Sequence, residues 1–165
     1  MLAHAALAVY GLALAGAAVS DVRRYEIPNP FPLAIAAAFV VYAPALPVGV
    51  ILSQLSAGLV VLIVAALCFG LGLMGGGDAK LLAATALWVG WLNLPVFLLA
   101  MSLLGAAISL ILIFIRRISW DVPGPGRWYA RLLSRGGGVP YGVAICGAGL
   151  ALLPHLAAAV ADRGP

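Results

Sequence analysis

Long apolar stretches with almost no charge are the feature that most constrains this chain. The stretch from Val48 to Met74 has no charged residue, and neither does the stretch between Lys80 and Arg116. Charged residues make up 8% of the 165 residues, whereas soluble domains carry about 25%. Together with a mean hydropathy of +1.16, this predicts an all-α polytopic membrane protein, because only helices and closed barrels satisfy their backbone inside lipid.

The apolar runs predict about six transmembrane helices in one integral membrane domain over residues 1–165. We place them at about 2–19, 33–46, 48–74, 79–92, 95–115 and 139–160. A single helix from 79 to 115 would be about 50 Å long and would exceed the ~30 Å hydrocarbon core. We therefore expect a turn near Trp91–Pro95. Three prolines predict extended backbone over 27–32, before the second helix.

The positions of the basic residues predict the orientation. With six helices, the connections after the first, third and fifth share one side, and they contain Arg23, Arg24, Lys80 and the arginines from 116 to 135. The opposite side keeps only Arg163. The positive-inside rule then predicts a cytoplasmic basic loop over about 116–138 and places both termini in the periplasm.

Two aspartates, Asp21 and Asp78, follow the first and third predicted helices. Two crossings separate them, so both should lie at the same membrane face. A carboxylate at membrane depth is costly and suggests a functional site. Two carboxylates that share a site hold one proton between them, so one can accept a proton from water while the other polarises a peptide carbonyl. That chemistry hydrolyses peptides without a metal or another cofactor, and we predict neither here.

The same residues also allow purely structural roles. Asp21 could end its helix or pair with Arg23 or Arg24, and Asp78 could cap the next helix. The glycines before Asp78 could form a plain loop, although Gly75 and Gly77 would also allow close backbone approach. The residues alone leave both interpretations open.

Three segments resemble the motifs of type IV prepilin peptidases, which are membrane aspartic peptidases of the Gly-x-Gly-Asp class. Asp21–Asn29 resembles the first aspartate motif, with its short basic stretch and Ile-Pro-Asn. Gly75–Leu81 resembles the second motif with its lysine, and Val139–Ile145 resembles the block that opens the last helix. The three segments occur in the order and spacing of the family's motifs, and the resemblance extends over nearly the whole chain. Among these peptidases, the chain is most similar to the short form that is associated with tight-adherence (Flp) pili and is often called CpaA or TadV.

This resemblance implies an aspartic endopeptidase that removes the leader of prepilins and pseudopilins at the cytoplasmic face of the bacterial inner membrane. It implies that Asp21 and Asp78 are catalytic, with Gly75, Gly77 and Lys80 as supporting motif residues. Asn29 could orient Asp21 or cap the second helix. The expected partners are the substrates, the lipid bilayer and the pilus assembly machinery, with no nucleic acid.

One departure from the longer family members concerns the connection after the first helix. Those enzymes have a loop there with paired Cys-x-x-Cys zinc motifs, and many also methylate the new N-terminus. Here the connection is short and has no cysteine, so we expect cleavage without methylation. Two other interpretations remain: a non-enzymatic scaffold or transporter whose carboxylates bind a cation or move protons, and a peptidase that cuts inside the bilayer as signal peptide peptidases do.

Overall fold

The chain folds into helices that lie side by side. The computed structural model describes residues 1–118, 132 and 138–161. The helices are α1 (Leu2–Arg24), α2 (Pro30–Tyr42), α3 (Val48–Gly70), α4 (Gly76–Ile118), α5 (Tyr141–Ala151) and α6 (Leu153–Ala161), with a 3-10 turn at Ala43–Ala45 after α2. No strand occurs in this described part of the chain, so the all-α prediction is confirmed.

Four stretches are long and apolar enough to cross a membrane. They are Leu2–Arg24, Val48–Gly70, Gly76–Arg117 and Tyr141–Ala158. The segment Pro30–Ala45 is apolar but shorter. The membrane character that the sequence predicts is thus confirmed by length and composition.

The longest helix, α4, is interrupted at Gly90, where the backbone leaves helical geometry with φ 64° and ψ 173°. This divides α4 into a first arm, 76–89, and a second arm, 91–118. Leu82 and Met101 lie on different arms, yet both line one cavity of about 480 Å³. In a straight helix they would be about 28 Å apart. The second arm therefore folds back along the first, as the length argument predicted.

Polar side chains of α3 stabilise the turn between the two arms. The buried Gln54 side chain donates through Nε2 to the carbonyl of Trp88 at 3.1 Å. The indole of Trp91 donates to the Ser56 hydroxyl at 2.8 Å. These bonds matter because a carbonyl released from a helix inside lipid has no water to pair with. The predicted turn at Trp91–Pro95 was slightly late, since the glycine supplies the positive φ and Pro95 lies inside the second arm.

Several predicted helix boundaries were wrong. The first helix continues to Arg24, so Asp21 lies within it. The second begins at Pro30 because prolines are tolerated in a first turn, where the missing N–H has no helical partner. The third ends at Gly70, before the expected 74, and the last apolar run is divided into α5 and α6. Most of the predicted basic loop, about 116–138, lies outside the described residues.

Trp88 is the centre of the core and is fully buried. Its ring lies 4.6 Å from that of Tyr10 on α1 and 4.9 Å from that of Tyr42 on α2, measured between centroids. Its Nε1 donates to the carbonyl of Ile35 at 3.0 Å. One side chain of α4 thus joins the first arm to both α1 and α2, which sets the relative positions of these helices.

We expect Gly90→Ala to lower the free energy of unfolding by about 1–3 kcal/mol, because the backbone at Gly90 has a conformation that is essentially restricted to glycine. An added Cβ would also lie 3.0 Å from Gln54 Cγ. The matched control is Gly49→Ala in the first turn of α3, where an added Cβ meets nothing within 4 Å. Thermal unfolding in detergent compares the two, and equal stabilities would contradict this account of the turn.

Candidate active site

Asp21 lies in the last turn of α1 and is only 5% exposed. The C-terminal end of a helix bears partial negative charge, so a carboxylate there is unfavourable by itself. The Asp21 carboxylate instead faces the backbone N–H groups of Gly142 and Val143 in the first turn of α5. The N-terminus of that helix offers donors and partial positive charge. The α5 terminus therefore compensates for the position of Asp21 on α1.

Gly142 leaves the space that the Asp21 carboxylate occupies. A Cβ at Gly142 would lie 2.7 Å from Asp21 Oδ2 and 2.6 Å from Ile27 Cδ1. Ile27 is itself buried, and on its other side a Cβ at Gly77 would lie 3.0 Å from Ile27 Cβ. The Ile27 side chain thus packs between two glycines that belong to different helices. At the level of the aspartates, α5 approaches the end of α1, and α4 approaches the segment that follows α1.

Asp78 lies in the first turn of α4 and is half-buried. Its carboxylate faces the backbone N–H of Gly75, the residue directly before the helix. This is the arrangement of a capping box, in which an acidic side chain at the third helical position satisfies a donor at the helix start. The backbone contact of Asp78 therefore agrees with the alternative in which Asp78 caps the start of α4. The same carboxylate also borders two cavities, of about 440 and 480 Å³.

Asp21 and Asp78 line one cavity of about 440 Å³. The two carboxylates are close enough that the charge of Asp78 acts on Asp21. Among the described residues Asp21 Oδ2 has no hydrogen-bond partner. Neither Arg23 nor Arg24, both exposed, forms an ion pair with Asp21 within this part of the chain. The structure thus brings the two predicted aspartates together at one polar cavity between apolar helices.

Of the other predicted site residues, three line this cavity and Lys80 contacts one of the three. Gly75 and Gly77 line it directly, as does Asn29. Asn29 precedes α2, but its side chain makes no capping bond; its Oδ1 instead accepts a hydrogen bond from Lys80 Nζ at 3.0 Å. Lys80 is therefore a bridge from α4 to the segment that follows Asp21. Asn29 thus occupies the N-cap position of α2 without a side-chain capping bond, and its side-chain contact is with the second motif.

Tyr25 is a site residue that the sequence analysis did not single out. It follows α1 with φ 55°, in the left-handed region that non-glycine residues rarely adopt, and it lines the cavity of the aspartates. Burial raises the pKa of its hydroxyl, and the neighbouring Arg116 guanidinium opposes part of that rise. Gly142 and Ile27 also lie in the motifs, where nothing in the sequence distinguishes them from their neighbours. Contacts between distant segments reveal all three, and one sequence has no such signal.

Comparison with known proteins identifies the family. A model of the type IV leader peptidase family matches residues 8–110 of this chain, which include both aspartates. The chain belongs to the type IV leader peptidase family. The resemblance seen in the three motifs is therefore confirmed at the level of the family.

Curated relatives share a short, well-matched segment with this leader peptidase family member. It is 48% identical over 52 residues to proteins named prepilin leader peptidase/N-methyltransferase from Legionella pneumophila and Aeromonas hydrophila. The match covers 32% of this chain and 18% of each relative. The chain therefore matches less than a fifth of those relatives' length. No solved structure matches it.

We expect Gly142→Ala to lower the free energy of unfolding by about 1–3 kcal/mol, because the new Cβ would overlap the Asp21 carboxylate and Ile27 in a closely packed site. The matched control is Gly147→Ala on the same helix, where the added Cβ meets only the flexible end of Leu104. Melting temperatures of the two purified variants in detergent give the comparison. A Gly142→Ala variant as stable as the Gly147→Ala variant would contradict this placement of Asp21.

Proposed function

We propose that this chain is an aspartic endopeptidase that cleaves the leader peptide of type IV prepilins, with Asp21 and Asp78 as the catalytic pair. The observation that supports it best is the shared cavity: two carboxylates from α1 and α4 border one space and interact electrostatically. Membership of a leader peptidase family supports a protease over a scaffold or transporter. A chain that only spans the membrane would have no use for two carboxylates at one polar cavity.

The proposed reaction uses one proton shared by the pair. The ionised carboxylate takes a proton from water as the water oxygen bonds to the peptide carbon, and the protonated carboxylate gives its proton to the carbonyl oxygen. The resulting diol then collapses. One hydroxyl returns a proton to the carboxylate that donated, the other carboxylic acid protonates the nitrogen, and the C–N bond breaks. The pair ends with one proton, ready for another cycle.

The supporting residues would hold the motif of Asp21 and the motif of Asp78 in fixed relative positions. Gly77 allows α4 to approach the Ile27 backbone, where an added Cβ would lie 3.3 Å from the Ile27 carbonyl oxygen. Gly75 offers its N–H to Asp78. Lys80 holds Asn29, which lines the cavity, through its hydrogen bond. We assign these four residues, with Asn29 included, to positioning and none of them to proton transfer.

We further propose six membrane crossings in one peptidase domain, with the aspartates at the cytoplasmic face of the bacterial inner membrane and both termini in the periplasm. The fold-back of α4 at Gly90 supports an even number of crossings, and the arginine asymmetry supports the orientation. Cysteines introduced at Glu26 and Leu46 test it. Reagents confined to opposite sides of the membrane should label them, and labelling of both from one side would contradict the topology.

The substrate class that we propose is the Flp (Tad) type of prepilin and pseudopilin, cleaved without N-methylation. Only Tyr25–Asn29 separate α1 from α2. This five-residue connection contains no cysteine and supports cleavage alone. Association with the pilus assembly machinery belongs to the same proposal.

We expect Asp21→Asn and Asp78→Asn each to abolish prepilin cleavage, because an amide can neither accept the proton of water nor complete the exchange within the pair. The measurement is N-terminal sequencing of a prepilin co-expressed with each variant. Asp121→Asn is the matched control; Asp121 lies in the predicted basic loop, outside the described residues, and its variant should cleave normally. Membrane levels are compared by immunoblot. Normal processing by either site variant at normal abundance would remove that aspartate from the mechanism.

The cleaved product should have a free, unmethylated amino terminus. Mass spectrometry of the mature substrate's first peptide distinguishes the two products by the mass of one methyl group. The comparison uses the same substrate processed by a prepilin leader peptidase/N-methyltransferase. A methylated terminus generated by this chain alone would contradict the proposal.

A further inference from the structure

Tyr25 is an unusual residue type for its position at the end of a helix. The residue that ends a helix in the left-handed region is usually glycine, because a side chain is unfavourable there. Tyr25 nevertheless adopts φ 55° and ψ 30° directly after α1. It is the one non-glycine residue with positive φ in the described part of the chain. A large side chain held in a strained conformation at a cavity suggests that the side chain itself has a function.

The buried polar atoms near the cavity point in the same direction. In the described residues, three buried side-chain atoms have no hydrogen-bond partner: Asp21 Oδ2, the Tyr25 hydroxyl and Gln54 Oε1. Gln54 lies at the Gly90 turn, whereas the other two border the same cavity. Unpartnered buried polar atoms are rare in folded proteins and need an explanation. These two are complementary, since a hydroxyl can donate and a carboxylate oxygen can accept.

Arg116 restricts what the Tyr25 hydroxyl can do. Its guanidinium donates to the carbonyl of Leu132 at 3.0 and 2.9 Å and to that of Gly138 at 2.8 Å, and it lies beside the Tyr25 hydroxyl. A guanidinium has donors but no acceptor. The Tyr25 hydroxyl therefore cannot donate a hydrogen bond to Arg116, and its hydrogen remains available to a carboxylate. Asp21 is the carboxylate whose charge acts on Tyr25.

We infer that Tyr25 is a positioning residue for Asp21: its hydroxyl donates a hydrogen bond to Asp21 Oδ2 when a substrate fills the cavity. The Arg116 guanidinium lies beside the hydroxyl and cannot accept its hydrogen, and the amides of Gly142 and Val143 face the rest of the carboxylate. Catalytic hydrogen bonds are often long in a free enzyme and shorten in the substrate complex. This inference rests on the proposed function, because it assigns Tyr25 a role in the reaction of Asp21.

The test compares two Tyr→Phe variants that each remove one buried hydroxyl. Tyr10 donates to the carbonyl of Gly149 at 3.3 Å, so its hydroxyl is already partnered. Tyr10→Phe should lower the melting temperature in detergent and leave kcat per folded molecule unchanged. Tyr25→Phe should leave the melting temperature unchanged or raise it, because it removes an unpartnered polar atom. Its kcat should fall about 10- to 100-fold, the value of a hydrogen bond to a charged group, with KM unchanged.

Each outcome decides between explanations. An unchanged kcat for Tyr25→Phe would overturn the inference, and so would a lower melting temperature with activity lost in proportion to unfolded protein. A rise in KM alone would also overturn it and would place the hydroxyl on the substrate. The proposed function is tested separately, because it fails only if Asp21→Asn or Asp78→Asn retains cleavage. The two failures are therefore distinguishable in one set of purified variants.

Discussion

The contact between Tyr10 and Trp88 determines where the two aspartates lie. These rings pack between α1 and the first arm of α4 with their centroids 4.6 Å apart and their planes tilted by 33°. Asp21 follows Tyr10 by eleven residues, and Asp78 precedes Trp88 by ten. At 1.5 Å per residue these distances are about 16 and 15 Å along the two helices. Because both lead toward the same end of the bundle, the aromatic contact sets a register in which the carboxylates reach the same level.

Close approach at that level then depends on small residues. Ile27 packs between Gly77 and Gly142, and each glycine would place a Cβ within 3.0 Å of it. Small residues allow helices to approach closely in membranes, where association depends on packing and not on the exclusion of water. The helix ends that meet here also supply backbone N–H groups to both carboxylates. Packing and electrostatics thus favour the same arrangement of α1, α4 and α5.

Much of this could be predicted from the sequence because lipid restricts the possible structures. A charge-free run must be helical, its length must match the bilayer, and the arginines indicate its orientation. Those constraints predicted the helical fold and the meeting of Asp21 with Asp78. They did not predict the turn residue: Trp91–Pro95 has the usual signals, but the chain turns at Gly90, where Gln54 of α3 satisfies the carbonyl of Trp88. The roles of Tyr25, Gly142 and Ile27 also depend on contacts between distant segments, which one sequence does not contain.

Cross-linking of the two aspartate positions is the most direct test of the account. Cysteines replace Asp21 and Asp78 in a chain without Cys68 and Cys146, and a bifunctional thiol reagent shorter than one helix diameter, about 10 Å, is added in membranes. We predict a cross-link between positions 21 and 78, identified by mass spectrometry. The control pair has cysteines at position 21 and in place of Ser53. Ser53 lies beside Gly90, near the start of α3 and far from the aspartates. Failure of the first pair to link, or equal linking of both pairs, would contradict the shared site.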